Sequence, residues 1–169
     1  MQGGRRRNRL TGMERIIGID PGSRVTGYGV VASDRGQIKF VSCGVIKTTA
    51  GLPFSHRINQ IFDGINEVIQ LHQPDVAAVE DVFLSTNPRS ALKLGQARGA
   101  AVVAAMQNNL AVYDYSPKLV KQGVAGYGQA SKEQIQHMVK ILLGLSGSPS
   151  SDAADALAVA ICHANQFRI

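Results

Sequence analysis

A run of four consecutive apolar residues that ends in a carboxylate, Val76-Ala77-Ala78-Val79-Glu80, constrains the fold of this chain more than any other feature. Successive side chains of a β-strand point to opposite faces of the sheet, so an uninterrupted apolar run predicts a strand that is covered on both faces. Such strands are typical of α/β proteins, in which helices flank the sheet. A carboxylate at the end of a buried strand is costly unless it is paired or bound to a metal ion, which makes Glu80 a candidate functional residue.

The other strand-like segments predict a mixed sheet around this central strand. Three apolar runs precede it, at residues 16–20, 25–32 and 38–46, and tight turns separate them. Runs of this kind predict a meander of three antiparallel strands. A further apolar run at residues 111–115 predicts a fifth strand.

Between these strands the period of the apolar residues changes to that of helices. Apolar residues recur at three- and four-residue steps from 54 to 69, which predicts one amphipathic helix. Asn87 followed by Pro88 predicts the start of a second helix that reaches about residue 108. Two more helices are predicted at residues 135–143 and from about residue 151. The predicted fold class is therefore α/β, with a mixed five-stranded sheet flanked by helices.

The length of 169 residues predicts one domain, since domains average about 150 residues. Residues 1–12 contain four arginines and no acidic residue, and we interpret them as a disordered basic arm or the remnant of an expression tag. The predicted domain then spans 13–169. The apolar stretches are far shorter than the roughly 20 residues that cross a bilayer, and no secretory signal follows the arginines. We therefore expect a cytoplasmic protein with no membrane partner.

Four carboxylates are candidates for one metal site. Asp20 ends the first predicted strand and Glu80 ends the fourth, so parallel pairing of these strands would place both at the same edge of the sheet. Asp152 and Asp155 are three residues apart at the start of the last helix, where they share a face. Oxygen ligands without histidine or cysteine favour Mg²⁺ or Mn²⁺. Two such ions about 4 Å apart can activate water and stabilise the leaving oxygen in phosphodiester cleavage.

Most of these acids also have an ordinary structural explanation. Asp20 precedes Pro-Gly-Ser and could simply initiate a turn. Asp152 and Asp155 could merely complement the positive end of a helix dipole. Asp81 follows Glu80 directly and must point to the opposite face of the strand, so we interpret it as a surface acid.

The charge distribution favours a polyanionic partner. The net charge is +6, and residues 83–140 contain seven basic residues against two acidic ones. A local basic field of this kind attracts phosphate backbones, although a solvated surface is the alternative explanation.

Six segments stand in this order along the chain: GIDPGSRVTGYG (18–29), EDVF (80–83), SALKLGQARG (90–99), VKQ (120–122), QHMV (136–139) and DAADALA (152–158). Taken together, they resemble the RuvC family of bacterial Holliday-junction resolvases. The resemblance extends over roughly residues 13–163, and an ordered set of motifs is far more specific than a single Asp-Pro-Gly turn.

The resemblance implies a ribonuclease-H-like fold and magnesium-dependent nicking of four-way DNA junctions, in homologous recombination and DNA repair. Asp20, Glu80, Asp152 and Asp155 match the family carboxylates that bind metal, with two ions per site expected during cleavage and Mn²⁺ as a substitute for Mg²⁺. Water would attack in line at the phosphate and leave a 5′-phosphate and a 3′-hydroxyl. Lys132 matches a basic position near the scissile phosphate, where it would also assist catalysis.

The resemblance also implies residues that contact DNA. Lys121 and Lys132 match basic positions that contact DNA, and Arg89 is a further DNA-binding candidate within the basic stretch. Phe83 matches an aromatic residue that contacts bases at the opened junction, although it could instead be a core aromatic at the end of a strand.

A homodimer is the expected assembly, because two nicks on symmetry-related strands suit a twofold protein. Ala91, Gly95 and Gly99 place small residues at four-residue steps on the second helix. We hypothesise that this helix helps to form the dimer, with packing inside the chain as the alternative. The resemblance further implies cooperation with the branch-migration proteins RuvA and RuvB.

Two other functions share some of these sequence features. An actin-like phosphotransferase could also place Asp20 before a glycine-containing turn, but 169 residues scarcely supply the two lobes that enclose ATP. A DNA-binding module without catalysis would not need four acids of this kind.

Overall fold

The computed structural model describes residues 12–81 and 86–166. Residues 1–11, which make up nearly all of the predicted basic arm, lie outside the described residues. Within the described part, the chain forms five strands and five helices. In chain order these are β1 (Glu14–Asp20), β2 (Val25–Asp34), β3 (Gln37–Lys47), α1 (Phe54–His72), β4 (Val76–Glu80), α2 (Pro88–Gln107), β5 (Ala111–Tyr115), α3 (Pro117–Ala125), α4 (Lys132–Leu142) and α5 (Ser151–Gln166).

The strands form one mixed sheet in the order β3-β2-β1-β4-β5. β1 pairs antiparallel with β2, and β2 pairs antiparallel with β3, which confirms the predicted meander. β4 lies parallel to both β1 and β5. The turn between β2 and β3 contains Arg35 and Gly36 at φ of 47° and 84°. Two successive positive φ angles are typical of the tight turns whose twist matches that of a hairpin.

Helices cover both faces of this sheet, as the apolar β4 run predicts. Ala77 and Val79 face one core, in which α1 and α2 pack. Val76 and Ala78 face the other core, which is formed with α3, α4 and α5. Because residues two apart in a strand share a face, Glu80 lies on the same face as Val76 and Ala78.

The helices begin where the sequence supplies caps. The Asn87 side chain accepts hydrogen bonds from the backbone N–H groups of Arg89 and Ser90, and Pro88 occupies the first turn of α2. The prediction did not identify α3, although Ser116 and Pro117 provide the same kind of start there. None of the described helices has the length and hydropathy that a membrane-spanning segment needs.

Candidate active site

Strand pairing brings Asp20 and Glu80 together. The parallel register of β1 and β4 aligns Ile19 with Val79, so the two carboxylates that follow stand at the same edge of the sheet. The predicted parallel pairing is therefore confirmed. The side chains of Asp20 and Glu80 are also hydrogen-bonded to each other.

The turn after Asp20 is fixed by a buried threonine. Thr26 is fully buried, and its hydroxyl donates to the carbonyl oxygen of Gly22 at 2.9 Å while accepting from the Gly22 N–H at 3.2 Å. A Cβ atom at Gly22 would lie 2.1 Å from the carbonyl oxygen of Val25, so this turn requires glycine. Asp20 thus ends the strand immediately before a rigid turn, which limits the positions that its carboxylate can take.

Helix α5 supplies the other two acids from a distant part of the chain. Ser150 accepts a hydrogen bond from the Ala153 N–H at 3.3 Å and so caps the first turn of the helix. One carboxylate oxygen from each of Asp20, Asp152 and Asp155 lies within 4.8 Å of the other two. These two helix residues therefore approach a third carboxylate rather than only the helix dipole.

Burial and the closeness of the carboxylates raise the pKa values of these acids and so favour their protonated forms. Burial, the hydrogen bond with Glu80 and the neighbouring negative charges raise the pKa of Asp20 to about 9. Burial is also the main cause of the raised pKa values of Glu80 and Asp155. A set of half-buried oxygen ligands that repel one another fits a hard divalent cation, because the cation would replace the protons and relieve the repulsion.

A lysine stands beside the acids. Lys132 is the first residue of α4, whose capping box is formed by Ser131 and Gln134. Its Nζ lies 3.2 Å from Oδ2 of Asp155. Partial burial alone would lower the pKa of Lys132, but the hydrogen bond and negative charge of Asp155 outweigh it, and the pKa is raised. Lys132 is therefore a cation at neutral pH.

The predicted DNA-binding residues have different positions relative to this cluster. Lys121, on α3, is close enough for its positive charge to lower the pKa of Glu80, in opposition to the larger effect of burial. Arg89 is exposed in the first turn of α2. Phe83 lies outside the described residues.

Arg98, which the sequence did not single out, has a structural role at the edge of the site. Its guanidinium donates to the carbonyl oxygen of Glu80 at 3.3 Å and forms an ion pair with Asp114. It also lies 3.8 Å from Asp81, whose side chain is mostly exposed, as predicted. Arg98 therefore links the end of β4, where Glu80 is located, to β5. A basic residue within the 90–99 segment was the available signal, but its partners could not be identified without the fold.

The sequence profile of the family described as Crossover junction endodeoxyribonuclease RuvC matches residues 16–163. The chain belongs to the RuvC family. It is 54% identical over 150 residues to the RuvC of Tolumonas auensis, which covers 89% of this chain and 86% of the relative. It is 53% identical over 153 residues to the RuvC of Vibrio cholerae, with 90% and 88% covered.

A solved structure agrees with this assignment. The structure of Thermus thermophilus RuvC in complex with a Holliday junction substrate superimposes with a TM-score of 0.86 at 39% identity. The match covers 92% of this chain and 95% of that one. The predicted ribonuclease-H-like fold is confirmed, and the chain is a member of a family of nucleases. The acidic cluster of this RuvC-family chain indicates the use of a divalent metal ion.

Proposed function

We propose that this chain resolves four-way DNA junctions, in homologous recombination and DNA repair, by hydrolysing one phosphodiester bond in each of two symmetry-related strands. The observation that carries the proposal is the meeting of Asp20, Asp152 and Asp155 within 4.8 Å, with Glu80 hydrogen-bonded to Asp20. This cluster belongs to a chain whose family profile is that of crossover junction endodeoxyribonucleases. Its relative from Thermus thermophilus was solved with a junction substrate.

The metal proposed for this site is Mg²⁺, with Mn²⁺ as a substitute and two ions per site during cleavage. Asp20, Glu80, Asp152 and Asp155 would hold the ions, because all four offer oxygen atoms only. When bound, the ions would supply the Lewis acidity that activates water and stabilises the leaving 3′-oxygen.

The side chains of the protein contribute charge and proton control. The raised pKa values of Asp20 and Glu80 and the hydrogen bond between them favour one proton held by this pair in the absence of metal, and bound ions would displace it. Lys132 remains cationic beside Asp155 and would stabilise the negative charge that develops on the phosphate. The products would carry a 5′-phosphate and a 3′-hydroxyl, which a ligase can rejoin.

DNA would approach the site over the basic part of the sequence. Lys132, on α4, forms an ion pair with Asp155, and the charge of Lys121, on α3, acts on Glu80, so both are proposed to contact the DNA backbone near the scissile phosphate. Arg89, exposed at the start of α2, is proposed as a more distant phosphate contact. Phe83 is proposed to stack on a base where the junction opens.

A homodimer is proposed through the exposed face of α2. Leu92, Val103 and Met106 are 69%, 48% and 57% exposed, which is unusual for three large apolar residues on one helix. A Cβ atom added at Gly95 or Gly99 would meet nothing within 4 Å among the described residues, so packing inside that part of the chain does not explain these glycines. The apolar side chains and glycines form one stripe that could bury against a second copy. Sedimentation should give a dimer, and a strict monomer would contradict this.

Further partners and the location rest on the family alone. RuvA and RuvB are proposed to deliver the junction, and the cytoplasm is proposed as the compartment. Co-sedimentation with RuvA and RuvB on a four-way junction tests the first of these proposals.

The decisive experiment compares a synthetic four-way junction with a linear duplex of the same sequence. With Mg²⁺, we expect paired symmetric nicks in the junction and no comparable cleavage of the duplex, and chelation should abolish the nicks. Glu80→Gln should lower the cleavage rate at least about a hundredfold. Glu67→Gln, a matched change at an exposed acid on α1, should leave the rate unchanged. Equal cleavage of both substrates, or cleavage in chelator, would refute the proposal.

A further inference from the structure

Three glycines form a patch without side chains on the face of the sheet that α5 covers. Gly18 of β1 lies opposite Gly29 of β2, and Asp20 lies opposite Gly27. Because Gly18 and Asp20 are two residues apart, they share a face of the sheet with both β2 glycines. The patch therefore lies directly beside the Asp20 carboxylate.

The backbone of α5 rests on this patch. A Cβ atom at Gly27 would lie 2.0 Å from the carbonyl oxygen of Asp152 and 2.5 Å from its carbonyl carbon. At Gly18 the atom would lie 2.1 Å from the carbonyl oxygen of Ala156, and at Gly29 it would lie 2.8 Å from the backbone nitrogen of Leu157. Real Cβ atoms essentially never approach other heavy atoms below 3.0 Å, so alanine at Gly27 would force a separation of at least about 1 Å.

We propose that Gly27 is a positioning residue for the metal site. It lies opposite Asp20 in the sheet and beneath the peptide group of Asp152, so its missing side chain sets the spacing between acids from two distant elements. This inference rests on the proposed metal-dependent function. Gly18 and Gly29 meet later turns of α5, whereas Gly27 meets the turn that carries Asp152 itself.

The sheet side of this contact cannot yield easily, because β2, which carries Gly27, pairs with β1 on one side and with β3 on the other. β1 is hydrogen-bonded to a strand on each side, which fixes Asp20. The far end of α5 is also fixed, because the His163 ring nitrogen Nδ1 lies 2.7 Å from the Tyr115 hydroxyl oxygen and Asn165 donates to the Gly123 carbonyl oxygen at 2.7 Å. An added Cβ atom would therefore tilt the first turn of α5 away from the sheet. Misplacement of a reacting group by about 1 Å can cost roughly a hundredfold in rate.

The test compares Gly27→Ala with a matched variant, Gly44→Ala. Gly44 also lies within the sheet, but a Cβ atom there would meet the ring of Tyr28, at 2.6 Å from the hydroxyl oxygen, and not the backbone of α5. Tyr28 packs in the core formed with α1 and α2, on the other face of the sheet from the acids. Both variants should lose stability, whereas only Gly27→Ala should change the metal site.

The main readout is Mn²⁺ affinity, measured by electron paramagnetic resonance without DNA. We expect Gly27→Ala to bind Mn²⁺ at least about tenfold more weakly and to lose about a hundredfold in kcat. Its KM and its affinity for a junction in chelator should stay within about threefold of the wild-type values. Gly44→Ala should bind Mn²⁺ like the wild type.

Wild-type Mn²⁺ affinity in folded Gly27→Ala, or equal weakening in both variants, would overturn the inference while leaving the proposed function intact. A wild-type protein that neither binds Mn²⁺ nor cleaves junctions would overturn both. If Gly27→Ala does not fold, Ser150→Ala provides the test, because it removes only an exposed cap from the first turn of α5, which carries Asp152. We expect severalfold weaker Mn²⁺ binding in Ser150→Ala, and an unchanged affinity would overturn the inference.

Discussion

Replacing Asp20 with asparagine should stabilise the metal-free protein while abolishing its activity. In the wild type, the protonated Asp20 carboxyl donates a hydrogen bond to Glu80. The amide N–H of asparagine can donate to Glu80 in the same way. Asp20→Asn therefore keeps this hydrogen bond, removes an ionisable group from a crowded site and removes one metal ligand.

The magnitude follows from the pKa of Asp20, which is about 9 in the folded protein against an ordinary value of 3.8. At pH 7.5 the unfolded chain has released this proton, so holding it in the folded state costs up to about 5 kcal/mol at 1.36 kcal/mol per pH unit. Glu80 retains its own burial cost in the variant, so we expect a net gain of about 1–3 kcal/mol. For a domain of this size, that gain raises Tm by about 2–12 °C.

The assay is thermal unfolding in chelator at pH 7.5 and at pH 5, followed by a Mn²⁺ titration. The stability gain should shrink at pH 5, because keeping Asp20 protonated in the folded wild type then costs less free energy. Mn²⁺ should raise the Tm of the wild type and leave that of Asp20→Asn nearly unchanged. Asp63→Asn, at an exposed acid on α1, is the control and should show no gain.

If Asp20→Asn is no more stable than the wild type in chelator at pH 7.5, Asp20 does not retain its proton in the folded wild type. The same conclusion follows if the stability gain is unchanged at pH 5, because the cost of a retained proton must grow with pH. Retention of full junction cleavage by Asp20→Asn would refute the assignment of Asp20 to the metal site.

Three further predictions concern the surroundings of this cluster. Lys132→Gln should lower the rate of single-turnover cleavage by about 10²–10³-fold, because the lysine charge acts at the reacting phosphate. Its junction affinity in chelator should change only severalfold, and an unchanged cleavage rate would contradict the role of Lys132. Arg98→Ala should lower the free energy of unfolding, measured in urea, by about 1–3 kcal/mol, because it removes the guanidinium that binds the Glu80 carbonyl oxygen and Asp114. Asp114→Ala should lower the free energy of unfolding by less, and the reverse order would contradict the role of Arg98 in holding the end of β4. Stabilisation by Mn²⁺ should grow as pH rises from about 5 to 9, because the raised pKa of Asp20 means that the ion must displace a proton from the folded site at low pH. Thermal scans with and without Mn²⁺ over this range check this, and a shift in Tm that is independent of pH would refute it.

The architecture could be predicted from the sequence because its signals are local. The apolar run at 76–79 required cover on both faces, and cores on the two sides of β4 provide it. The period changes located the strands and most of the helices. Among the described helices only α3 was missed, although Val120 and Val124 give it an apolar face.

The positions of Asp20 and Glu80 were also predictable, because both follow from where a strand ends. Parallel pairing of neighbouring strands then places two strand ends together without further information. The spacing of Asp152 and Asp155 likewise follows from the helical repeat. The sequence alone therefore determined which residues could form a site and on which elements they lie.

How closely these elements approach was decided only by the tertiary structure. The contact between Gly27 and the peptide group of Asp152 joins residues 125 positions apart, and no periodicity encodes it. The same holds for Lys132 beside Asp155 and for Arg98 at the end of β4. Periodicity reports which face of an element is apolar, whereas the distance between two elements depends on the side chains that are present or missing on both. The identity of the acids is thus a property of the sequence, and their mutual distance is a property of the packed fold.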